Sequence, residues 1–326
     1  MNGSIELKDH QRELYYFKLR LAIAAGFVLL LFFLLFLRFF YLQVLQHEHY
    51  RTLAENNRIS IVPIVPNRGL ILDRNGALLA HNYSAYTLEI TPSNVDNLEA
   101  LIKQLANVVE ITPKDLKRFR KLMEESKNVE SLPLRTRLND VEVARFAVNH
   151  YRFPSVEIKA RLFRHYPLGE MTSHVVGYIS RINDDDLEWL EEKGEVANYR
   201  GSDYIGKTGI EQSYEMKLHG KTGFEQVEID ANGRAVRTLS RIPPVSGDNL
   251  LLTLDARLQE FAEKAFGNYR GALVAIDPSS GGVLAFVSKP GFDPNLFVDG
   301  IDPQNWDALN NSPEKPLTDR ALRGQY

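Results

Sequence analysis

Residues Leu21 to Leu37 (LAIAAGFVLLLFFLLFL) carry no charge and almost no polar group. A bilayer core takes about 20 apolar residues of helix. The run resumes past Arg38 through Phe39, Phe40, Tyr41, Leu42, Val44 and Leu45. It predicts a membrane-spanning helix over residues 21–42, with Leu21, Phe27 and Leu37 on the anchor and Arg38 either snorkelling or facing a partner. The length and density of the run argue against a buried soluble helix. A cleaved signal peptide fits poorly, because Arg38-Phe39-Phe40-Tyr41 follows and offers no small-residue cleavage site. Lys8, Arg12, Lys18 and Arg20 precede the span, and only Arg51 and Arg58 lie close behind it. This bias predicts a cytoplasmic tail over 1–20 and the bulk of the chain on the far side. Tyr15, Tyr16, Tyr41 and Tyr50 are placed to supply interfacial aromatics.

With 326 residues the chain has room for two or three domains. It has no cysteine, which removes thiolate metal sites, thiol nucleophiles and disulfides together. A net charge of -3 gives no reason to expect nucleic acid.

Residues 43–66 read as a juxtamembrane stalk. Within them His47-Glu48-His49 lacks the spacing of a zinc-binding helix. Leu70 to Leu72 and Leu78 to Ala80 flank Asp73-Arg74-Asn75-Gly76, a hairpin signal in which Asn-Gly supplies positive φ. Tyr86 to Ile90 and Leu132 to Leu138 are predicted strands. Between them Leu98, Leu101, Ile102, Leu105 and Val108 mark one helical face, and Thr112 caps a second helix with Pro113 in its first turn. Asn139 caps a helix running to His150. Val156, Ile158, Ala160 and Leu162 alternate as the inward face of a strand. Asp184 to Glu192 is a short helix, and Gly223 to Ile242 is a hairpin around Asn232-Gly233. A boundary is expected at Pro243 to Gly247. Beyond it come a strand at Asn249 to Leu254, a helix with Leu258, Phe261, Ala262, Ala265 and Phe266 on one face, and strands at Ala272 to Ile276 and Val283 to Ser288. An α/β domain therefore opens near 247 and is cut short.

Several motifs match chemistry they do not carry. Gly201-Ser202-Asp203-Tyr204-Ile205-Gly206-Lys207-Thr208 spells a P-loop. A P-loop needs a buried strand before its glycines, and Glu191 to Arg200 is polar. Lys207-Thr208-Gly209 and Lys221-Thr222-Gly223 match the lysine box of penicillin-recognising serine enzymes, but both precede any nucleophile. They read as glycine turns. Ser312-Pro313-Glu314-Lys315 is the only S-x-x-K in the chain, and Pro316 would interrupt the helix that must align serine with lysine. His165 and His174 read as packing histidines. No metal or cofactor constellation is visible.

Taken together, the segments resemble a family. They comprise the anchor; Asn67-Arg68-Gly69 with Asp73-Arg74-Asn75-Gly76; Tyr166-Pro167-Leu168-Gly169 with His174 to Tyr178; Gly206-Lys207-Thr208-Gly209-Ile210-Glu211; Leu218 to Gly223; Leu252 to Asp255; Ala275 to Pro278 with Gly281 to Ala285; and Pro290 to Asn295 with Arg320-Ala321. This set, in this order, is similar to class B penicillin-binding proteins, in particular the penicillin-binding protein 2 of rod-shaped Gram-negative bacteria. The resemblance implies an α+β architecture: one transmembrane helix, an elongated, dimerisation-like pedestal in the periplasm over 43–246, and over 247–326 the start of a truncated α/β transpeptidase domain. It implies a peptidoglycan D,D-transpeptidase of cell elongation, anchored in the bacterial inner membrane and working without a cofactor. The catalytic serine would attack the penultimate D-Ala carbonyl of a stem peptide, and β-lactams would acylate the same serine. In the family that serine lies a few residues beyond the position of Tyr326, so these residues alone are expected to be inactive. Arg68, Gly69, Asp73, Arg74, Gly76, Gly206, Gly209 and Glu211 then read as structural motif residues. The pedestal would engage a RodA-type glycan polymerase and an MreC-type scaffold. A non-catalytic, membrane-anchored scaffold is the alternative.

Overall fold

The computed structural model describes residues 10–48, 50, 59–92, 95, 97–125, 131–229 and 235–324. Two compact units are present, Met1–Val62 with Glu225–Arg241, and Pro63–Phe224 with Ile242–Tyr326. Lys8, His49, Arg51, Arg58 and the turn at Asn232-Gly233 lie outside the described residues.

Helix α1 (His10–Phe40) begins well before the apolar run. Leu21, Phe27 and Leu37 are all exposed on it. From Leu14 to Leu45 the helical stretch is long and apolar enough to cross a membrane. The Arg38 guanidinium lies 5.7 Å from the centroid of the Tyr41 ring. The expected stalk contains a strand, β1 (Ile59–Ile64). Its β-branched residues favour extended backbone, a signal the stalk reading passed over.

β2 (Ile71–Leu72) and β3 (Leu78–Ile90) form the expected hairpin. Its loop is organised by Asp73 rather than by a two-residue Asn-Gly turn. Asp73 Oδ1 accepts from the backbone N–H of Asn75 (2.8 Å) and Ala77 (2.7 Å), and only Gly76 takes positive φ, +84°. Next come α2 (Leu98–Leu105), α3 (Pro113–Glu125), β4 (Leu132–Leu138) and α4 (Asp140–Asn149). Their starts are side-chain capped: Asn97 accepts from Ala100 N–H, Thr112 from Asp115 N–H, and Asn139 forms a capping box with Glu142. Leu105, Phe119, Leu134 and Phe146 bury against Leu88 and Ile90 of β3 to make one apolar core.

β5 (Val156–His165) pairs antiparallel with β3 along its whole length. Val156 is buried as expected, but Ala160 and Leu162 are exposed, while Phe163 and Arg164 are buried. The helices α2–α4 cover only the Val156–Ile158 end of this ladder. At the far end Phe163 and Arg164, which point to opposite faces of the strand, are both covered. β6 (Ile179–Arg181), α5 (Asp184–Lys193), β7 (Tyr204–Gly206), α6 (Gly209–Ser213) and α7 (Glu215–His219) follow. β8 (Gly223–Ile229) and β9 (Ala235–Ile242) then join β1 in a sheet of order β1–β8–β9.

β10 (Leu250–Leu251) adds to β2 in parallel. α8 (Ala256–Phe266) is followed by the hairpin of β11 (Gly271–Ile276) and β12 (Val283–Lys289), and by α9 (Asn295–Val298), α10 (Pro303–Asn310) and α11 (Arg320–Arg323). The predicted apolar face of α8 is only partly the inward one. Leu258 and Phe261 are exposed, while Gln259 is buried. Gln259 donates to the carbonyls of Met171 (2.9 Å) and Phe286 (2.8 Å) and accepts from Phe286 N–H. Satisfying those backbone groups turns a polar residue inward. A second core gathers Ile71, Leu79, Tyr166, Val176 and Leu218 with Leu254 and Val298.

Candidate functional site

Beside this second core lies a knot of buried charge. Arg68 lies three residues before the start of β2, Arg164 sits near the end of β5, Glu211 is on α6 and Glu215 opens α7. Gly209 starts α6 at φ +61°, where a Cβ would fall 2.6 Å from the Val175 carbonyl oxygen. At Gly206 a Cβ would fall 2.2 Å from the Glu211 carbonyl oxygen. Only glycine lets the backbone close this tightly, and the closure aims both glutamates at the two arginines.

Arg68 Nε donates to Glu211 Oε2 at 2.7 Å, and its two terminal nitrogens reach Glu215 Oε1 at 3.0 Å and Oε2 at 2.6 Å. Arg164 donates to Glu211 Oε1 at 2.8 Å, to the Gly69 carbonyl at 2.8 Å and to Asn82 Oδ1 at 3.1 Å. Tyr166 donates its hydroxyl proton to Glu211 Oε1, and Tyr199 to Glu215 Oε1 at 2.7 Å. Gly206 N–H closes the shell on Glu215 Oε2 at 2.8 Å. Arg164 and Glu211 are fully buried. Burial disfavours the charged guanidinium of Arg68, but Glu211 and Glu215 outweigh it and raise its pKa well above the ordinary value. Burial pushes the Glu215 carboxyl up, and Arg68, Tyr199 and Gly206 reverse this and hold it below the usual range. Burial also raises the Tyr199 hydroxyl and lowers His219, whose ring stacks on Tyr199 at 3.9 Å between centroids. Every carboxylate oxygen of Glu211 and Glu215 is thus occupied, an arrangement suited to fixing backbone segments rather than to moving protons.

Of the sequence-predicted residues, Arg68, Gly69, Gly206, Gly209 and Glu211 come together here. Asp73, Arg74 and Gly76 form a separate joint at the hairpin tip. Asp73 Oδ2 accepts from Ala256 N–H at 3.0 Å, and Arg74 N–H donates to the Leu254 carbonyl at 2.9 Å, which ties the tip to the start of α8. Burial raises the Asp73 carboxyl, and its three backbone donors bring it below its ordinary value. Arg164, Glu215, Tyr199 and Asn82 were missed by sequence reasoning. The signals for them were a second arginine in an apolar strand and a glutamate four residues after Glu211.

The chemical lookalikes resolve into structure. In the P-loop spelling the strand β7 lies inside the motif, and Lys207 pairs with Asp186. Lys221 and Thr222 line a cleft of about 510 Å³, with Thr222 N–H bonded to Asn198 Oδ1. Ser312 lies in a turn, its hydroxyl accepting from Glu314 N–H at 3.2 Å, and Lys315 has φ +42°. They do not share a helical face. The ring of His81 packs edge-on to that of His165, and the ring of Phe292 edge-on to that of His174. Among the described residues no group of three or more His, Asp or Glu side chains is arranged to hold a metal.

Residues 63–252 match the model of the penicillin-binding protein dimerisation domain. The chain belongs to the penicillin-binding protein family. It is 46% identical over 319 residues to the peptidoglycan D,D-transpeptidase MrdA of Escherichia coli K12, a match covering 98% of this chain and 50% of the relative. It is 39% identical over 326 residues to the MrdA of Acinetobacter baumannii, covering 100% of this chain and 48% of that one. The chain thus spans about half the length of these relatives. Among solved structures it is similar to a complex between penicillin-binding protein PBP2 and MreC from Helicobacter pylori, with a TM-score of 0.65 and 27% identity over 80% of this chain and 48% of the other. The penicillin-binding protein pedestal fold accounts for the mixture of strands and helices behind one apolar N-terminal helix.

Proposed function

We propose that the chain is the membrane-anchored pedestal portion of a peptidoglycan D,D-transpeptidase of cell elongation. In this reading α1 crosses the inner membrane with its N-terminus in the cytoplasm, in accord with the Lys/Arg bias, and the remainder stands in the periplasm. The acyl transfer belongs to the whole protein. A serine takes the stem peptide's penultimate D-Ala carbonyl, releases the terminal D-Ala and passes the acyl group to an amine of a neighbouring strand. In this reading these 326 residues hold and position. The pedestal would meet an MreC-type scaffold, a reading supported by the likeness to the Helicobacter pylori complex, and α1 would meet a RodA-type polymerase.

The observation that carries this reading is the saturated knot. Arg68 and Glu211, 143 positions apart, meet through charge with every carboxylate oxygen occupied, the signature of a support rather than of a reactive centre. The test is labelling of source membranes with a tagged penicillin, beside the purified 326-residue chain in detergent. Peptides of this chain in a labelled band well above 37.2 kDa, with no label on the purified chain, are expected. Label on the purified chain would refute its inactivity. Absence of its peptides from every labelled band would refute the transpeptidase reading.

A further inference from the structure

Arg137 is one of two non-glycine residues with positive φ among those described, at +57° within β4. Positive φ is unfavourable for a long side chain and persists only where its surroundings hold it. The cause is a bulge. Tyr86 pairs with Leu138 and Leu88 with Arg135, so two steps along β3 face three along β4. The extra residue re-aims Arg137. Its guanidinium passes 5.3 Å from the Phe163 ring centroid and 5.9 Å from that of Tyr83, and reaches Asp299 Oδ2 at 2.8 Å.

Asp299 opens the loop between α9 and α10, and Asp302 closes it. Asp302 caps α10 by accepting from Asn305 N–H at 2.9 Å and takes Lys114, at the start of α3, at 3.0 Å. Tyr204 donates to the other oxygen of Asp299. The two cations come from the lobe whose apolar core holds Leu105, Phe119, Leu134 and Phe146. The loop follows Val298, which belongs to the other core. Two separate cores are therefore joined here by charge at a partly exposed surface, where ion pairs are individually weak and salt-sensitive. β3 runs through both, with Leu88 and Ile90 in the first core and Leu79 and Ala80 in the second, and β5 pairs with it along its whole length.

We propose that Arg137 and Lys114 form a two-point electrostatic latch that holds the α2–α4 lobe against the α9–α10 loop, and that the lobe swings open on β3 and β5 when both points release. The strained bulge serves the latch, because regular β4 backbone would not aim Arg137 at Asp299.

The chain has no cysteine, so spin labels can be placed at will. Val148→Cys on α4 and Gln304→Cys on α10 are exposed sites. Electron–electron distance measurements on the full chain in detergent should give one short distance at low salt. In Lys114→Ala/Asp299→Asn a longer distance should appear, its population up about tenfold, as expected for loss of two partly exposed pairs. The charge swap Arg137→Asp/Asp299→Arg, with Asp tolerated at positive φ, should return part of the short distance relative to Asp299→Arg alone. In the unsubstituted chain, about 1 M salt should act like the double substitution, since it cuts the screening length to about 3 Å. Distances unchanged by salt overturn the latch whether or not the variants fold. So does a swap no shorter than Asp299→Arg alone.

Discussion

Glu211 takes donors from three directions, Arg68, Arg164 and Tyr166, and has no exposed surface. Replacing it with Gln keeps the shape and removes the charge, leaving two guanidinium groups with Glu215 as their remaining carboxylate in the knot. Removing one partner of a buried ion pair costs about 3–5 kcal/mol. Glu211→Gln is therefore expected to lower the unfolding free energy by about that amount, measured by chemical denaturation of the membrane-extracted chain. A change under about 1 kcal/mol would mean the knot is tuned for something other than stability. At this scale the sequence was half legible. Arg68 and Glu211 stood out because they sit beside glycines in segments with a family likeness. Arg164 did not, since the predicted strand ended at Leu162 and nothing local says that Arg164 meets a carboxylate 47 positions on.

The glycines act at the scale of the element, by two different physical routes. Gly76 has φ +84° and open space where a Cβ would stand, whereas at Gly69 a Cβ would fall 1.9 Å from the Asp248 carbonyl oxygen. Gly76→Ala should cost only the left-handed backbone penalty, about 1–2 kcal/mol. Gly69→Ala forces two backbones apart and should cost more, beyond the roughly 1–3 kcal/mol of an overpacked core. Thermal melts of both variants check the order; a Gly76→Ala loss equal to or larger than that of Gly69→Ala would show that the hairpin tip, not the close approach, limits stability. Elements themselves were legible where pattern and cap agreed, as at Asn139 with Glu142. They were not where tertiary cover decided. The outward turn of Leu162 and the inward turn of Gln259 depend on what lies across the sheet, which periodicity does not encode.

At the scale of the whole chain, a boundary was expected at Pro243 to Gly247, and contacts run across it. Leu250 and Leu251 pair with Ile71 and Leu72. Leu254 and Val298 bury in the core of Ile71, Leu79 and Tyr166. Asn295 bonds the backbone of Tyr166 through both its side-chain oxygen and nitrogen, at 3.0 Å each. A chain stopped at Ser246 would lose the two apolar side chains, about 1.5–3 kcal/mol each, and would expose those they cover, against a total stability of about 5–15 kcal/mol for a domain. It would also free Asp73 from Ala256 and Arg74 from Leu254. Such a truncation is expected to lose its cooperative melt in the second core while keeping the helical signal of the α2–α4 lobe, whose own core lies wholly before 247. Hydrogen exchange resolved by segment separates the two cores. Protection kept at Ile71, Leu79 and Tyr166 in the shortened chain would make 247 a true domain boundary; protection lost there but kept at Leu105, Phe119 and Phe146 would make the segment after 247 part of the pedestal's own fold.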